Sequence, residues 1–307
     1  MDPISRLIRS ARPEGAVDVR CLLAGTHVLD NPPGVAGQVP FHLLLNGHCV
    51  AEIGDRAIDL RAGDVLILPR AARHRVRVVA DGPPLPAERH SGGSVTTLRS
   101  DDTAAIDLFC GHYTYQPGPG ELLFAGLPDI VHASFGRGPG SPLHPLGELM
   151  RNEAALDAPG TGALLASLCE ALLVLALRGD GRGAPSTANL VMPWTALTDA
   201  SLRAVVDAVV NEPQRRWTIA SLAHIAGVSR ATLVRRFSTA TGTGVAEFLT
   251  RTRMMIAADL LTATSRSLDD IAASVGYRSP SAFGKAFRTT TGTTPSRLRR
   301  YAAENGR

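Results

Sequence analysis

Several features are scarce or missing in this sequence of 307 residues. No uninterrupted apolar run reaches the roughly 18 residues that a membrane-spanning helix needs. Residues 1–6 contain no hydrophobic core of a secretory signal peptide. We therefore expect a cytoplasmic protein without a membrane partner. Lysine is nearly absent, since Lys285 is the only one among 32 basic residues, and arginine carries almost all of the positive charge.

The charges are distributed unevenly along the chain. Residues 198–307 contain 16 basic and 8 acidic side chains, a net charge of +8. The rest of the chain contains 16 basic and 20 acidic side chains, a net charge of −4. A basic module favours nucleic-acid binding, because positive charge attracts phosphates regardless of base sequence. Basic surfaces also occur on other soluble domains, so the charge supports this function only together with motifs.

Residues 1–140 are rich in glycine, proline and short runs of Val, Leu and Ile, which is typical of β structure. The dipeptide Asn46-Gly47 stands between two apolar segments, 41–45 and 48–53, and predicts a β-hairpin. Further predicted strands lie at 57–60, 65–68 and 73–79. Short strands with frequent turns predict a small β-barrel or sandwich.

The spacing of apolar residues becomes helical after residue 140. One predicted apolar stripe contains Leu146, Met150, Ala154 and Leu156. Residues 162–178 are apolar on nearly all sides, so this helix must be buried on most of its surface. The β module or a second copy of the helix could bury it, and we favour a homodimer contact.

These changes in composition divide the chain into four predicted parts. They are a small β-barrel module at 1–140, a helical pair at 141–180, a linker at 181–197 and an all-α module at 198–307. The predicted fold class is therefore α+β with two domains.

Two similar patterns lie about fifty residues apart in the basic module, at 217–237 and 267–287. Each has a short amphipathic helix, a glycine turn, a serine placed to cap, and a second helix that ends in phenylalanine. This is the pattern of a helix-turn-helix, whose second helix enters the major groove of DNA. Residues 244–261 predict a long helix between them, a strut that sets the two units roughly 34 Å apart, one turn of a duplex.

The outward positions of the second helices predict the DNA contacts. Arg235 is the best candidate for base recognition, since a guanidinium donates two hydrogen bonds to O6 and N7 of guanine. Arg236 can instead bind a phosphate, and each of these arginines can equally belong to an ordinary solvated helix face. The predicted contact residues are Arg230, Thr232, Arg235, Arg236, Arg278, Ser281, Ala282 and Lys285.

Over about 100 residues this module resembles the DNA-binding domain of the AraC/XylS family of transcriptional regulators. The resemblance is carried by Leu222, Ala223, Gly227, Ser229, Leu233, Phe237, Gly242, Arg253, Ala257, Leu261, Ile271, Ala272, Gly276, Tyr277, Ser279, Phe283, Phe287, Gly292 and Pro295. It implies that Arg235 and Lys285 point into the groove. The sequence departs from the family at Gly244-Val245, where a proline is usual.

The β module resembles the cupin-type sensor domain of such regulators, through the predicted hairpin, residues 60–69 and His74. If the hairpin forms, His42 and Cys49 share one face, and His74 can join them. Histidine and cysteine suit a zinc-like ion, so His42, Cys49 and His74 are the candidate metal ligands. The alternative is that they are ordinary buried thiols and hydrogen-bonded histidines.

The metal-site pattern of cupin enzymes is incomplete in this sequence. That pattern has two closely spaced histidines and a glutamate, whereas the alternation of side chains along a strand places Glu52 on the face opposite His42. We therefore expect no catalytic metal and no enzyme activity.

Residues 1–7 together with Cys21, His42 and Cys110-Gly111 resemble the subgroup of AraC-type regulators that respond to reactive chlorine and related oxidants or electrophiles. The resemblance implies that Cys21 and Cys110 form a redox pair. Disulfides in the cytosol are usually transient and sensory. Cys169, inside the apolar helix, is predicted to belong to the core.

These observations predict a sequence-specific transcriptional regulator that binds double-stranded DNA as a homodimer. It can contact RNA polymerase, and its cupin-like domain senses a small molecule, a metal or an oxidant. A cupin enzyme with an accessory DNA-binding tail is the alternative, and it would need a full ligand set with open positions. A purely architectural DNA binder is a third reading, which leaves the β module unexplained.

Overall fold

The computed structural model describes residue 5 and residues 8–9, 11–83, 85–91, 93–100, 104–115, 119–136, 138–178 and 199–305. The predicted linker at 181–197 lies outside these residues. The described residues form two compact units. The β unit comprises those within 14–114 and 129–190, and the helical unit comprises those within 1–13, 115–128 and 191–307. The helical unit thus includes a segment from the middle of the β-rich part of the chain.

Two sheets make up most of the β unit. The strands are β1 (Glu14–Leu23), β2 (Val28–Asn31), β3 (Gln38–Asn46), β4 (His48–Ile53), β5 (Arg56–Arg61), β6 (Asp64–Ile67), β7 (His74–Val78), β8 (Glu88–His90), β9 (Thr96–Arg99), β10 (Ile106–Thr114) and β11 (Val131–Ser134). The larger sheet has the order β11-β6-β3-β10-β1-β9-β8, and the smaller has the order β2-β7-β4-β5. Neighbouring strands are antiparallel except β1 and β9. The predicted β-rich N-terminal domain is confirmed.

The predicted hairpin at 41–53 is wrong. β3 belongs to the larger sheet and β4 to the smaller one, so Asn46-Gly47 joins two sheets instead of two paired strands. Both edges of β3 are already occupied, by β6 and β10, which leaves no edge for β4. Gly47 has a φ of +91°, and a Cβ there would lie 2.3 Å from the Ala105 carbonyl oxygen. Only glycine fits this crossing.

The side chains of β3, in the middle of the larger sheet, alternate between two faces that are both buried. Leu44 points into the inner core, where residues of the two sheets pack together. Phe41 points to the other face and lies 5.0 Å from the ring of Tyr113, centroid to centroid. The Tyr113 hydroxyl donates to the Cys169 carbonyl at 2.9 Å, which joins the outer face to a helix.

That outer face is covered by the predicted helical pair, α2 (Leu143–Leu156) and α3 (Thr161–Arg178). Met150 is buried as expected, but Leu156 is exposed, because it ends α2 just before a left-handed residue. α3 is long and apolar enough to cross a membrane by length and composition alone. It packs against β1 and α2 through one face, where Leu165 and Leu172 are buried. Only 39% of the helix is buried and Leu164 is exposed, so the predicted burial of most of its surface does not occur within this chain.

Eight helices are described in the helical unit. They are α1 (Pro119–Ala125), α4 (Ala200–Asn211), α5 (Ile219–Ile225), α6 (Arg230–Thr241), α7 (Val245–Ala263), α8 (Leu268–Ser274), α9 (Pro280–Thr291) and α10 (Pro295–Asn305). The tandem helix-turn-helix prediction is confirmed, with α5–α6 and α8–α9 as the two pairs and α7 as the strut. α7 begins at Val245 without the proline that is usual in the family.

Candidate DNA-binding surface and thiol cluster

Local hydrogen bonds fix the ends of the first helix pair. The Thr218 hydroxyl accepts from the Ser221 N–H at 3.1 Å, and the Ser221 hydroxyl accepts from the Thr218 N–H at 3.0 Å. This reciprocal capping box starts α5. Ser229 starts α6 by accepting from the Thr232 N–H at 3.1 Å. The Ser229 hydroxyl also donates to the Thr232 hydroxyl at 2.9 Å, so Thr232 is already engaged at the helix end.

The predicted arginines of the first pair lie on the solvent face of α6. Phe237 is buried on the core side, which turns Arg235 and Arg236 outward, and both are exposed. Arg230 is exposed because it is the first residue of the helix, at its open end. The Arg236 guanidinium lies 4.0 Å from the Asp199 carboxylate. A solvent-exposed ion pair at that distance contributes little to stability and leaves the arginine available to a phosphate.

The second helix pair is capped in the same way as the first, but different side chains are exposed on its recognition helix. Ser267 accepts from the Asp270 N–H at 3.0 Å to start α8, and Ser279 accepts from the Ala282 N–H at 3.2 Å to start α9. Pro280 is the first residue of α9, where its missing N–H costs nothing. The predicted contact residues Arg278, Ser281, Ala282 and Lys285 are exposed. This face offers fewer hydrogen-bond donors than that of α6.

Arg253 of α7 joins the two helix pairs. Its Nε donates to the Pro213 carbonyl and its Nη2 to the Arg215 carbonyl, each at 2.8 Å, in the loop before α5. Its guanidinium carbon lies 5.9 Å from the centre of the Tyr277 ring, in the turn between α8 and α9. The sequence predicted Arg253 only as part of the family resemblance, since no local pattern reveals contacts across some 40 residues.

The inner core of the β unit contains two neighbouring thiols. Cys21 on β1 pairs with Leu108, and Cys110 on β10 pairs with Val19, so the cysteines are diagonal neighbours on one face of the strand pair. Their side chains are hydrogen-bonded, and both cysteines are free thiols. Cys21 is buried, whereas Cys110 keeps partial solvent exposure. The structure therefore brings together the two residues of the predicted redox pair.

Two histidines extend the thiol pair into a chain of hydrogen bonds. Nδ1 of His42 lies 3.2 Å from Sγ of Cys110, Nε2 of His42 lies 2.6 Å from Nε2 of His74, and Nδ1 of His74 lies 2.8 Å from the Ala72 carbonyl oxygen. A carbonyl only accepts, so His74 Nδ1 donates, and the neutral ring has its lone pair at Nε2. His42 Nε2–H therefore donates to His74, and His42 Nδ1 is the acceptor that faces the Cys110 thiol.

Burial keeps these groups uncharged. Desolvation, and then the neighbouring His74, lower the pKa of His42 from 6.5 to about 3. Desolvation also lowers the pKa of His74. The hydrogen bond with Cys21 and then burial raise the pKa of Cys110 well above its ordinary value. At pH 7 the cluster is thus a protonated thiol beside neutral imidazoles.

The predicted metal ligands do not form a metal-binding set. Cys49 is buried in the same inner core, where desolvation and then Asp64 raise its pKa to about 12. His42 and His74 each use both ring nitrogens in the contacts described above. Within the part of the chain that the structure describes, no group of three or more His, Cys, Asp or Glu side chains is placed to hold an ion. The donors do not fit a four-ligand zinc site.

A partly buried ion cluster connects the two thiol-bearing strands. Arg20 donates from Nε and Nη2 to the two Asp107 carboxylate oxygens, each at 3.0 Å, and Arg151 donates from Nε to the same carboxylate at 2.7 Å. The cluster fastens β1, β10 and α2 to one another. No sequence pattern had indicated it, because the three residues come from distant parts of the chain.

Comparison with known proteins agrees with this architecture. A cupin family model matches residues 2–179, and a helix-turn-helix domain model matches residues 222–301. The chain is 30% identical over 304 residues to an uncharacterized HTH-type transcriptional regulator of Haemophilus influenzae, covering 98% of this chain and 99% of that protein. It is 29% identical over 301 residues to the RCS-specific HTH-type transcriptional activator RclR of Escherichia coli, covering 97% of each chain.

Among solved structures, the DNA-binding domain of the global transcriptional factor AdpA in complex with a target DNA is 31% identical. The match covers 36% of this chain and 98% of that chain, with a TM-score of 0.33. Three observations lead to one assignment. The chain has two exposed recognition helices on one strut, a cupin domain precedes them, and the relatives are matched along their whole length. The chain belongs to the AraC-type family of helix-turn-helix transcriptional regulators with an N-terminal cupin domain.

Proposed function

We propose that this regulator senses oxidants through Cys21 and Cys110. The observation that carries the proposal is the contact between the two thiols, one buried and one partly exposed, with a histidine acceptor facing the exposed one. An oxidant arriving from solvent meets Cys110 first. Cys21 is then the thiol that resolves the product. The E. coli relative is named as an RCS-specific activator, which supports the same signal class.

The chemistry we propose is a two-electron oxidation by hypochlorous acid. The Cys110 sulfur takes the chlorine of HOCl and forms an S–Cl bond, while the thiol proton and the released hydroxide form water. The Cys21 sulfur then attacks the Cys110 sulfur, chloride leaves, and the Cys21 proton is released. One disulfide, one water, one chloride and one proton result. The His42 Nδ1 lone pair is placed to accept the Cys110 proton as the first bond forms and to pass it to the released hydroxide, which becomes the water.

The protonated state of Cys110 favours strong oxidants over weak ones. Peroxides and alkylating agents react with thiolates, and a thiol whose pKa is raised offers little thiolate at pH 7. Hypochlorous acid is a far stronger electrophile and needs less activation of the sulfur. We therefore propose that the response is selective for reactive chlorine over hydrogen peroxide.

The thiol switch is tested by Cys110→Ser in a reporter assay with hypochlorous acid and, separately, hydrogen peroxide. We expect the variant to lose at least about nine-tenths of the chlorine response, since no disulfide can form. Cys169→Ser is the matched control, because Cys169 is a buried thiol in α3, outside the predicted pair. Peptide mass spectrometry should find a Cys21–Cys110 disulfide in oxidised wild type. An undiminished response in Cys110→Ser dismisses the proposal.

On DNA, we propose that Arg235 reads a base, that Arg236 contacts a phosphate, and that Lys285 enters the groove and contributes its charge without selecting a base. Exposure of all three on the faces of α6 and α9 supports this assignment. We also propose that the protein acts as a homodimer in the cytoplasm, with α3 at the dimer contact, and that it recruits RNA polymerase. Footprinting tests the DNA part, because protection of one defined sequence indicates a regulator and protection of any sequence indicates an architectural protein.

We propose that the protein has no enzyme activity. Glu52 lies on the solvent side of β4, where it pairs with Arg77 at 3.4 Å, so it does not complete a cupin metal site with His42. Metal binding by His42, Cys49 and His74 stays a prediction. Elemental analysis of wild type and His42→Ala, made together with a thiol count, tests it, and a wild type without metal ends that idea.

A further inference from the structure

The two strands that carry the thiols are also strands whose ends continue into the helical unit. β1 begins at Glu14 and β10 ends at Thr114, and these two residues pair with each other. The described residues before β1 and the segment 115–128 after β10 belong to the helical unit. The thiol-bearing strand pair is therefore linked covalently, at one end and through both strands, to segments packed among the DNA-binding helices.

The segment 115–128 packs on the strut α7 through α1. Leu122, Leu123 and Phe124 of α1 are all buried, and the Phe124 ring lies 5.2 Å from that of Tyr115, centroid to centroid. On the other side, Gly120 lies against Ala11, since a Cβ at Gly120 would stand 3.2 Å from the Ala11 carbonyl oxygen. The N-terminal segment and α1 thus form one packed group.

Two exposed polar contacts add to this packing. Arg251 of α7 donates from Nη1 to the Ala125 carbonyl at the end of α1, at 3.4 Å. Arg12 pairs with Asp259 of α7 at 3.7 Å. Residues 251 and 259 are two turns of helix apart, about 12 Å along the axis. Because both contacts are exposed to solvent, the apolar packing of α1 contributes most of the attachment to α7.

The same group lies beside a cleft next to the second recognition helix. Leu122 and Ala125 of α1, Thr250 of α7, and Thr289 and Thr290 at the end of α9 line this cleft of about 260 Å³. A displacement of α1 therefore acts directly on α7, and it reaches α9 through α7.

We propose that residues 11–13, Tyr115 and residues 119–128 form a clamp on α7 that couples the thiol pair to the presentation of the two recognition helices. For its signal, the inference rests on the proposed thiol switch, while the clamp itself is built from the contacts above. Because α7 carries both helix pairs, a change in the clamp alters the spacing or direction of both.

When the disulfide forms, the strand pair can shift more easily at the end that continues into the clamp. Diagonal neighbours across an antiparallel pair stand ~7–8 Å apart, whereas a disulfide requires Cα atoms within about 6.8 Å, so closure shifts β1 against β10. On the side of Cys21, the Arg20–Asp107 ion pair holds the register. On the side of the clamp, a β-bulge between Val17 and Val19 lets the register of the two strands change.

Hydrogen exchange on the full-length, fully reduced protein tests the clamp without thiol chemistry. The probe is a duplex selected by the protein from a random-sequence library. Coupling is reciprocal, so DNA binding should change amide exchange in residues 106–115 by at least about threefold in wild type. Phe124→Ala should reduce that change to less than about 1.5-fold while the DNA still protects α6 and α9. Glu121→Gln, on the exposed face of α1, is the matched control and should behave as wild type.

Two results overturn the clamp: wild type that binds the duplex without a change in 106–115, or Phe124→Ala that keeps the full change. If Phe124→Ala does not fold, Arg251→Gln removes the polar contact with Ala125 from the surface and replaces it in the same comparison. Failure of the thiol proposal looks different. In that case DNA binding still changes 106–115 in reduced protein, but hypochlorous acid yields no Cys21–Cys110 disulfide.

Discussion

The two units of this protein place their polar functional groups in opposite environments. In the β unit, His42, His74 and Cys21 are buried between the sheets. In the helical unit the cores of the helix pairs are apolar, and arginines such as Arg235 stand on the surface. Burial keeps the two histidines neutral, while exposure leaves the arginines available to a polyanion.

Within the helical unit, the two helix pairs share a skeleton and differ in their faces. The Thr241 hydroxyl donates to the Phe237 carbonyl at 2.7 Å, and the Thr291 hydroxyl donates to the Phe287 carbonyl at 2.8 Å. In both pairs the same hydroxyl is also hydrogen-bonded to the backbone C=O and N–H of the residue two positions later, Thr243 or Thr293. The skeleton sets the position of a recognition helix, whereas the exposed side chains decide what it reads.

The turn glycines of the two pairs provide the largest contrast. Gly276 has a φ of +84°, and a Cβ there would lie 2.8 Å from Arg253 Nη2 and 2.9 Å from the Gln214 carbonyl oxygen. Gly227 has a φ of +65°, with nothing within 4 Å of its Cβ position. Gly276→Ala should therefore cost roughly 2–5 kcal/mol of unfolding free energy, and Gly227→Ala only about 1–2 kcal/mol. Equal losses of unfolding free energy in denaturant titrations would show that the close packing of Gly276 against Arg253 does not contribute to stability.

The two recognition helices should respond differently to loss of a cation. Arg235→Ala should cost about 1–3 kcal/mol of binding to the preferred site and relax its sequence preference. Lys285→Ala should weaken binding to all sequences alike and lower the salt dependence by about one released counterion. Fluorescence anisotropy with preferred and scrambled duplexes at several salt concentrations distinguishes them. If Arg235→Ala keeps both affinity and preference, Arg235 does not read a base.

The buried histidines should make the β unit sensitive to acid. His42 has a pKa of about 3 in the folded protein and 6.5 as its ordinary value, so below pH 6.5 the unfolded chain binds a proton that the folded one does not. Stability should be unaffected by this group above that pH and should fall by about 1.4 kcal/mol for each pH unit below it, down to about pH 3. Thermal unfolding between pH 7.5 and 5 measures this.

His42→Gln should flatten this pH dependence even if it lowers the Tm at neutral pH by breaking hydrogen bonds. His90→Gln, at an exposed position of β8, is the control and should keep the wild-type slope. A His42→Gln slope equal to that of wild type would mean that the cluster is hydrated in solution and that the contrast between the two units is weaker than the structure indicates.

The helical unit was predictable from sequence because its signals are local. Ser229 and Ser279 cap the second helix of each pair, at the position that the repeated pattern gives to a serine. A helix end needs only the residues next to it, so a short stretch of chain contains the whole pattern. The alternation at 74–78 was also read correctly, since inward and outward side chains follow one another along a single strand.

Strand pairing was the point at which local reasoning failed. Asn46-Gly47 has the sequence of a hairpin turn, but the edges of β3 are taken by β6 and β10, which lie about 20 and 65 residues further along the chain. The inward orientation of His42 and Cys49 was nevertheless right, because the alternation holds in either sheet. The prediction that the strands carrying His42 and Cys49 pair with each other was wrong, because β3 and β4 lie in different sheets.

The amino-acid sequence alone determined the family, the two helix pairs, their caps and the candidate cysteines, since each depends on nearby residues or on a repeated motif. Only the tertiary structure decided that Cys110 meets Cys21 and His42, that Arg253 joins the two helix pairs, and that α1 lies on α7. These contacts join residues some 40 to 130 positions apart. Their formation depends on which strands pair with one another and which segments cover the apolar faces. No short segment of the chain specifies either choice.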